Sequence, residues 1–208
     1  MDPACRAADE LIDITDLILS EHDAFRRGFA ALDKILGPDV DPGSRRRRLA
    51  EVWTPLAAHL DRHAAAEEAV VFPALLRHGT NAEHETLDAV GDHNDIRNAV
   101  RDAGRYPAGS AQWWAAVERA RAANTHHMAE EEDEALADLR RNTTREQRSE
   151  LGRQFRAAMA RVGNLPAADN TDPLEFLARH RQRSGGGASR SGDDLGTVAG
   201  NRGGNRLQ

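Results

Sequence analysis

The chain has 208 residues, of which 30% are charged and only 4% aromatic, and its formal net charge at pH 7 is −6. Five Arg against two Asp in residues 181–208 leave −9 on the remainder, an acidic body that speaks against general nucleic-acid binding. The single cysteine, Cys5, excludes an intramolecular disulfide and a zinc site built from thiolates, and sparse strand formers beside abundant Ala, Leu, Glu and Arg favour an all-α protein.

The N-terminal stretch is interrupted by acids and has no basic start before an apolar core, so no signal peptide is expected. No apolar run approaches the length of a membrane span, and a cytoplasmic protein with no membrane partner is expected. The first helix is expected over about 8–36, where Leu11, Ile14, Ile18, Phe25, Phe29 and Leu32 recur at helical spacing before "GPDVDPGS" (37–44) ends it. The second covers about 44–77, with Ser44 as its N-cap and Gly79 in the following turn as a C-terminal stop. The third covers about 82–104 and the fourth about 110–141, separated by "GRYPAGS". Four such helices with short connections predict an antiparallel up-down-up-down four-helix bundle.

A weaker pattern over 144–162, with Leu151, Phe155 and Met159, predicts a fifth helix packed on the bundle. Residues 163–180 read as a linker with a possible short helix at "LEFLARH". From Arg181 onward eight of 28 residues are Gly, which predicts a disordered Gly/Arg-rich tail. The organisation expected is therefore 1–162, 163–180 and 181–208. The single "RGG" at 202–204 and the "SRRRR" at 44–48 read as solvated segments, and Trp53, Trp113 and Trp114 as packing residues.

Polar groups interrupt the apolar seam of each of the four helices. His22 stands between Ile18 and Phe25, and His93 between Val90 and Ile96. His63 and Glu67, four apart, share the side that carries Leu56 and Val70 or Val71; His127 and Glu131 repeat that spacing. Each lies near the middle of its helix, so an antiparallel bundle brings four histidines and two glutamates to one height. Buried polar groups are costly unless satisfied. Two explanations remain: a hydrogen-bonded network of charged pairs, or a metal site. Imidazole nitrogen with carboxylate oxygen suits iron, zinc, manganese or copper, and carboxylates able to bridge suit a pair of metals. "HAAAEEAVVFPAL" (63–75) aligns with "HMAEEEDEALADL" (127–139), which suggests two related halves and selects His127 and Glu131 over His126 and Glu130.

These residues resemble the hemerythrin family, in its bacterial HHE cation-binding branch. The resemblance is carried by "EHDAFRRGF" around His22, "HAAAEEAVVFP" at 63–73, "DHNDIR" at 92–97 and "HMAEEE" at 127–132, and covers about residues 8–141. It implies a non-haem di-iron centre, two iron ions (Fe2+/Fe3+) with an oxygen bridge, in which both carboxylates bridge. Other transition metals fit it less well. The ligands expected are His22, His63, Glu67, His93, His127 and Glu131. Oxygen-carrying members use five histidines, two of them in the third helix. Here Arg97 stands four residues after His93 and Ala89 four before it, while His84, nine residues away, lies on the opposite face. Of roughly twelve donor places around two irons, about two are then left open. His59, one turn before His63, is a further candidate ligand; its alternatives are a hydrogen bond to the ligand layer or an ordinary surface histidine. His78 and His180 are expected at the surface, and Glu68 and Glu132 are expected to point away from the metals.

The function these features imply is binding of O2 or a related small oxidant or diatomic. A catalase-like or nitric-oxide-handling enzyme, acting on H2O2 or NO, is the alternative to which the missing fifth histidine leans. A second alternative is an iron-responsive or structural bundle whose tail engages a partner.

Overall fold

The computed structural model describes residues 12–36, 41–162 and 170–185, and every regular element among them is helical. Helix α1 (Ile14–Asp33) starts at the N-cap Asp13, whose carboxylate accepts the Thr15 backbone N–H at 3.0 Å. It thus begins later than the periodicity predicts. Its buried stripe is Ile14, Ile18, His22, Phe25, Phe29 and Leu32, and a 3-10 turn, Lys34–Leu36, follows it.

Helix α2 (Pro42–Ala66) is capped by Asp41 rather than Ser44: the Asp41 carboxylate accepts the N–H groups of Gly43 and Ser44, both at 3.0 Å. Asp41 outcompetes Ser44 because Pro42, with its fixed φ and no N–H to satisfy, suits the first helical turn. The helix passes through a π-turn, Glu67–Val71, into α3 (Phe72–His78). Gly79 ends α3, where an added Cβ would lie 2.5 Å from Asp138 Oδ2. That buried carboxylate accepts the Thr80 N–H at 2.6 Å and the Thr80 hydroxyl at 2.7 Å, which fixes the turn.

Helix α4 (Ala82–Ala103) is followed by α5 (Ala111–Glu130), capped by Ser110. A second π-turn, Glu131–Ala135, leads into α6 (Leu136–Asn142). Neighbouring helices meet in opposite chain order. Phe29 packs on Trp53 and Phe25 on His63 between α1 and α2, while Arg121 reaches Asp33 and Arg140 reaches Asp16 between α1 and α5–α6. Two larger apolar clusters, beside a small one of Leu75, Ala82 and Ala135, form the core among the described residues. One gathers Phe25, Phe29, Trp53, Leu60 and Trp113, and the other Ile14, Ile18, Val71, Phe72 and Leu139. His22 and His93 fall between residues of the two clusters, and the His63–Glu67 and His127–Glu131 pairs flank Ala66 of one cluster and Met128 of the other, so the polar layer lies where the two dry ones meet. Side chains of this size contribute roughly 1.5–3 kcal/mol each on burial, which is what the polar layer must be set against.

Helix α7 (Arg145–Val162) packs on α1, α2 and the first π-turn, burying Phe155. Its approach is close: a Cβ at Gly152 would lie 2.4 Å from the Ile12 carbonyl oxygen. Helix α8 (Pro173–Gly185) is longer than the short helix expected and runs past Arg181 into the stretch expected to be disordered. The reason is local. Phe176 and Leu177 are buried, Asn94 and Thr171 exchange two hydrogen bonds, and Arg181 Nε donates to Glu83 at 2.7 Å. Cys5, Leu11, 163–169 of the expected linker and 186–208 of the expected tail lie outside the described residues. Among the described residues no helix is long and apolar enough to cross a membrane.

Candidate metal centre

The two π-turns start at the two seam glutamates. Phe72 N–H donates to Glu67 O, and Leu136 N–H to Glu131 O, each spanning five residues instead of four. Pro73 follows the first turn, but no proline follows the second, so proline is not their common cause. What the turns share is the buried glutamate, and single π-turns of this kind recur at functional sites. The internal repeat read from the sequence is thus repeated in the backbone.

All six residues, His22, His63, Glu67, His93, His127 and Glu131, are buried. The Nε2 atoms of the histidines face inward. His63 Nε2 lies 2.7 Å from Glu67 Oε1, His93 Nε2 3.1 Å from Glu67 Oε2, and His22 Nε2 3.2 Å from Glu131 Oε2. His93 and His127 bring their Nε2 atoms within 3.2 Å of each other. His127 Nε2 is 3.6 Å from Glu67 Oε2 and 3.8 Å from Glu131 Oε2. Two groups result, in each of which the donor atoms lie within 4.8 Å of one another: His22, His63, Glu67 and Glu131, and Glu67, His93 and His127. They share Glu67.

The outer nitrogens of two histidines are held by residues that the sequence reading turned away from the site. Glu132 Oε1 lies 2.8 Å from His22 Nδ1, and Glu68 Oε1 lies 3.0 Å from His93 Nδ1. An ionised carboxylate only accepts, so each Nδ1 carries the proton and donates it, leaving Nε2 to the interior. Each glutamate is in turn gripped by an arginine four residues beyond the histidine it serves. Arg26 Nη2 donates to Glu132 at 2.7 Å and Arg97 Nη1 to Glu68 at 2.8 Å. Arg97 therefore does not merely stand where a fifth histidine would. The signal was present in the sequence: His22 to Arg26 and His93 to Arg97 have the same spacing, and Glu68 and Glu132 each follow a seam glutamate.

Aromatic rings close the layer. Phe25 and Phe155 stand edge-on to His63 at 5.0 and 5.7 Å between centroids. Phe72 stacks on His93 at 5.4 Å and is itself met by Phe176 of α8 at 6.3 Å. The periodicity placed Phe155 in a packing helix without relating it to His63.

Charge is held in place by mutual attraction. Burial opposes a charged His93, but the Glu67 and Glu68 carboxylates outweigh it and push His93 up to about 9. His22 is raised in the same way, burial being overcome chiefly by Glu131. Burial would raise Glu67, yet His63, His127 and His93 hold it well below the usual carboxylate range. Glu68 is lowered too, His93 and Arg97 prevailing over burial.

These contacts do not complete a hydrogen-bonded network. His22 Nε2, both nitrogens of His63, Glu67 Oε1 and both oxygens of Glu131 are buried with no hydrogen-bond partner among the described residues. His63 Nε2 and Glu67 Oε1 are close without the alignment of a hydrogen bond. Orphaned acceptors and imidazole nitrogens converging in one dry layer fit a bound cation better than a charged-pair network, which would have to be nearly fully bonded to be tolerated. The residues of both groups could hold a metal.

His59 takes another direction. It pairs with Glu21 and packs against Phe25, and it belongs to neither core group. His126 and Glu130 also stay out of the core, forming a partly exposed third group with Asp92. His180 is half-buried and bonds the Phe176 carbonyl, and His78 is half-buried at the end of α3, so neither is fully exposed as expected.

The family model of the hemerythrin HHE cation binding domain matches residues 13–139. No curated protein and no solved structure matches the chain. Helices α7 and α8 lie beyond the matched residues, although Phe155 and Phe176 close two sides of the polar layer.

Proposed function

The chain belongs to the hemerythrin family, and from that premise we propose that an antiparallel up-down-up-down four-helix core binds a pair of iron ions that takes O2 or a related small oxidant or diatomic. His22, His63 and Glu131 would hold one ion and His93 and His127 the other, with Glu67 common to both groups. The observation that carries this reading is the pair of donor groups joined at Glu67, the first of them lined by buried atoms with no hydrogen-bond partner among the described residues. A bound iron pair supplies one-electron redox chemistry and open places for such a ligand.

The chain's own part is to prepare the donors. Glu132 and Glu68 keep a proton of His22 and His93 on Nδ1, so that Nε2 is the nitrogen that would give up its proton and turn a lone pair to a cation. Glu67 stays ionised and needs to lose no proton when a cation arrives. Phe25, Phe72 and Phe155 keep bulk water from the layer.

One observation favours turnover over carriage. Arg97 stands where a further histidine could have reached the site, and a guanidinium held by Asp61 and Glu68 supplies no ligand lone pair, so the half with His93 would keep an open place for H2O2 or NO.

Elemental analysis of protein produced with ample iron tests the reading. About two irons per chain, lost in Glu67→Ala and in Glu131→Ala, is the result expected. One or none, with both variants folded normally, would leave the six residues as a charged network and remove the proposal. Oxygen evolution from added peroxide then separates an enzyme from a carrier, whose reduced form would instead give a stable, reversible charge-transfer band with O2.

A further inference from the structure

A cavity of about 90 Å³ lies between α4 and the α5–α6 segment. Its floor is formed by His127 and Glu131, both buried, and neither Glu131 oxygen has a hydrogen-bond partner among the described residues. The rest of its polar lining is mostly carboxylate: Glu85, Asp88, Asp92, Glu130 and Glu134. Among the described residues no Lys or Arg lines it. The volume holds a few waters, enough for a partly hydrated cation.

In an adjoining surface depression that shares Asp92 and Glu130 with this cavity, Asp92, His126 and Glu130 bring ligand atoms within 4.8 Å of one another, and His126 Nε2 is 3.3 Å from Glu130 Oε1. Asp92 joins this group to the core. Its Oδ2 is buried without a hydrogen-bond partner among the described residues and lies 3.9 Å from His127 Nδ1, too far to bond it. A second cavity, about 650 Å³ and touching Glu68, has Arg77, Arg179 and His180 in its lining and so suits a cation less well.

We propose that the α4–α5 cavity is the loading route for a divalent transition-metal cation, with Asp92, His126 and Glu130 as an outer holding site that passes the ion to Glu131 and His127. The inference rests on the metal reading of the core. A hydrated cation arriving from water would exchange its waters for these oxygens and one imidazole in steps rather than all at once. A cleft lined by one sign of charge also concentrates its counter-ion and raises association rates by about tenfold or more.

The test is the rate at which cobalt(II), followed by its visible absorption, loads into full-length protein freed of metal by chelator. Asp92→Asn combined with Glu130→Gln should slow loading by about tenfold. After long equilibration and desalting, its cobalt content should match the parent chain. Asp16→Asn with Glu118→Gln removes the same charge from the surface elsewhere and should load at the parent rate. His126→Ala alone, which leaves the carboxylates in place, should slow loading by a smaller factor and keeps the test open should the double variant misfold. Parent-like rates in both the Asp92/Glu130 and His126 variants would overturn the route while leaving the core reading intact. No cobalt uptake by the parent chain would overturn the core reading and the route together.

Discussion

The arm that holds His22 and the arm that holds His93 are built to one pattern and set in different surroundings. In each, a glutamate that follows a seam glutamate accepts from Nδ1, and an arginine four residues past the histidine grips that glutamate. Arg97, however, is only 2% exposed and also reaches Asp61, whereas Arg26 is 46% exposed and turns partly to Asp23. The repeat reproduces the geometry, and burial decides what that geometry is worth. One arm is a sealed structural element, and the other is a surface ion pair that steadies a buried histidine.

The largest expected effect breaks the sealed arm. Arg97→Met removes the guanidinium between Glu68 and Asp61 and should cost about 3 kcal/mol or more of stability, the range for stranding a buried charge. Urea denaturation of the chelator-treated protein measures it. A loss no larger than that of Arg26→Ala would abolish the distinction between the arms.

Next comes the pH response of the metal-free protein. His93 stands near 9 in the folded chain and near 6.5 when unfolded. Its protonation therefore stabilises the fold fully below about 6.5, and that contribution is lost as pH rises through about 9. Each pH unit in that window corresponds to roughly 1.4 kcal/mol. Thermal midpoints between pH 6 and 9.5 should fall, and Glu68→Gln should flatten the fall. Added metal should reverse the trend, since binding displaces the Nε2 proton and so strengthens with pH.

Metal retention sharpens the comparison further. Glu68→Gln should weaken binding by about tenfold or more in chelator competition, because an amide holds Nδ1–H without a charge. Glu132→Gln should do less, since its carboxylate is 25% exposed and water can take its place. Equal losses would mean that the charge of the glutamate matters and its burial does not.

The apolar stripes and the interrupting histidines were legible because both follow one helix's own period. Ile14, Ile18, Phe25 and Phe29 mark the inward face of α1, and His22 falls on it. Glu68 and Glu132 were not legible by that route. They lie about 100° round from the seam glutamates, on sides that face a neighbouring helix, and a single-helix pattern contains no neighbour. Arg97 was read as the absence of a histidine because its partners, Asp61 and Glu68, come from α2 and the π-turn that follows it. The π-turns were missed for a related reason: "EEAVV" and "EEDEA" share little beyond two leading glutamates, and the wider turn is selected by what those glutamates meet in the core. Helix α8 was legible only as a short helix at "LEFLARH", because Phe176 and Leu177 give too short a period to set its length; Asn94, far away in sequence, anchors it through Thr171.

The smallest effect is the most discriminating. Arg26→Ala removes contacts to Glu132 and Asp23 at the surface, and exposed pairs of this kind contribute roughly 0.2–1 kcal/mol. The change should fade further at high salt, where screening shortens to about 3 Å at 1 M. The penalty of Arg97→Met should persist there, because salt does not reach it. A double-mutant cycle makes the contrast quantitative. Coupling of Arg26 to Glu132 should be small and salt-sensitive, and coupling of Arg97 to Glu68 larger and salt-independent. If Arg26 kept a large coupling at high salt, the open arm would be closed in solution by something beyond its own residues, and the two halves of the site would be equal after all.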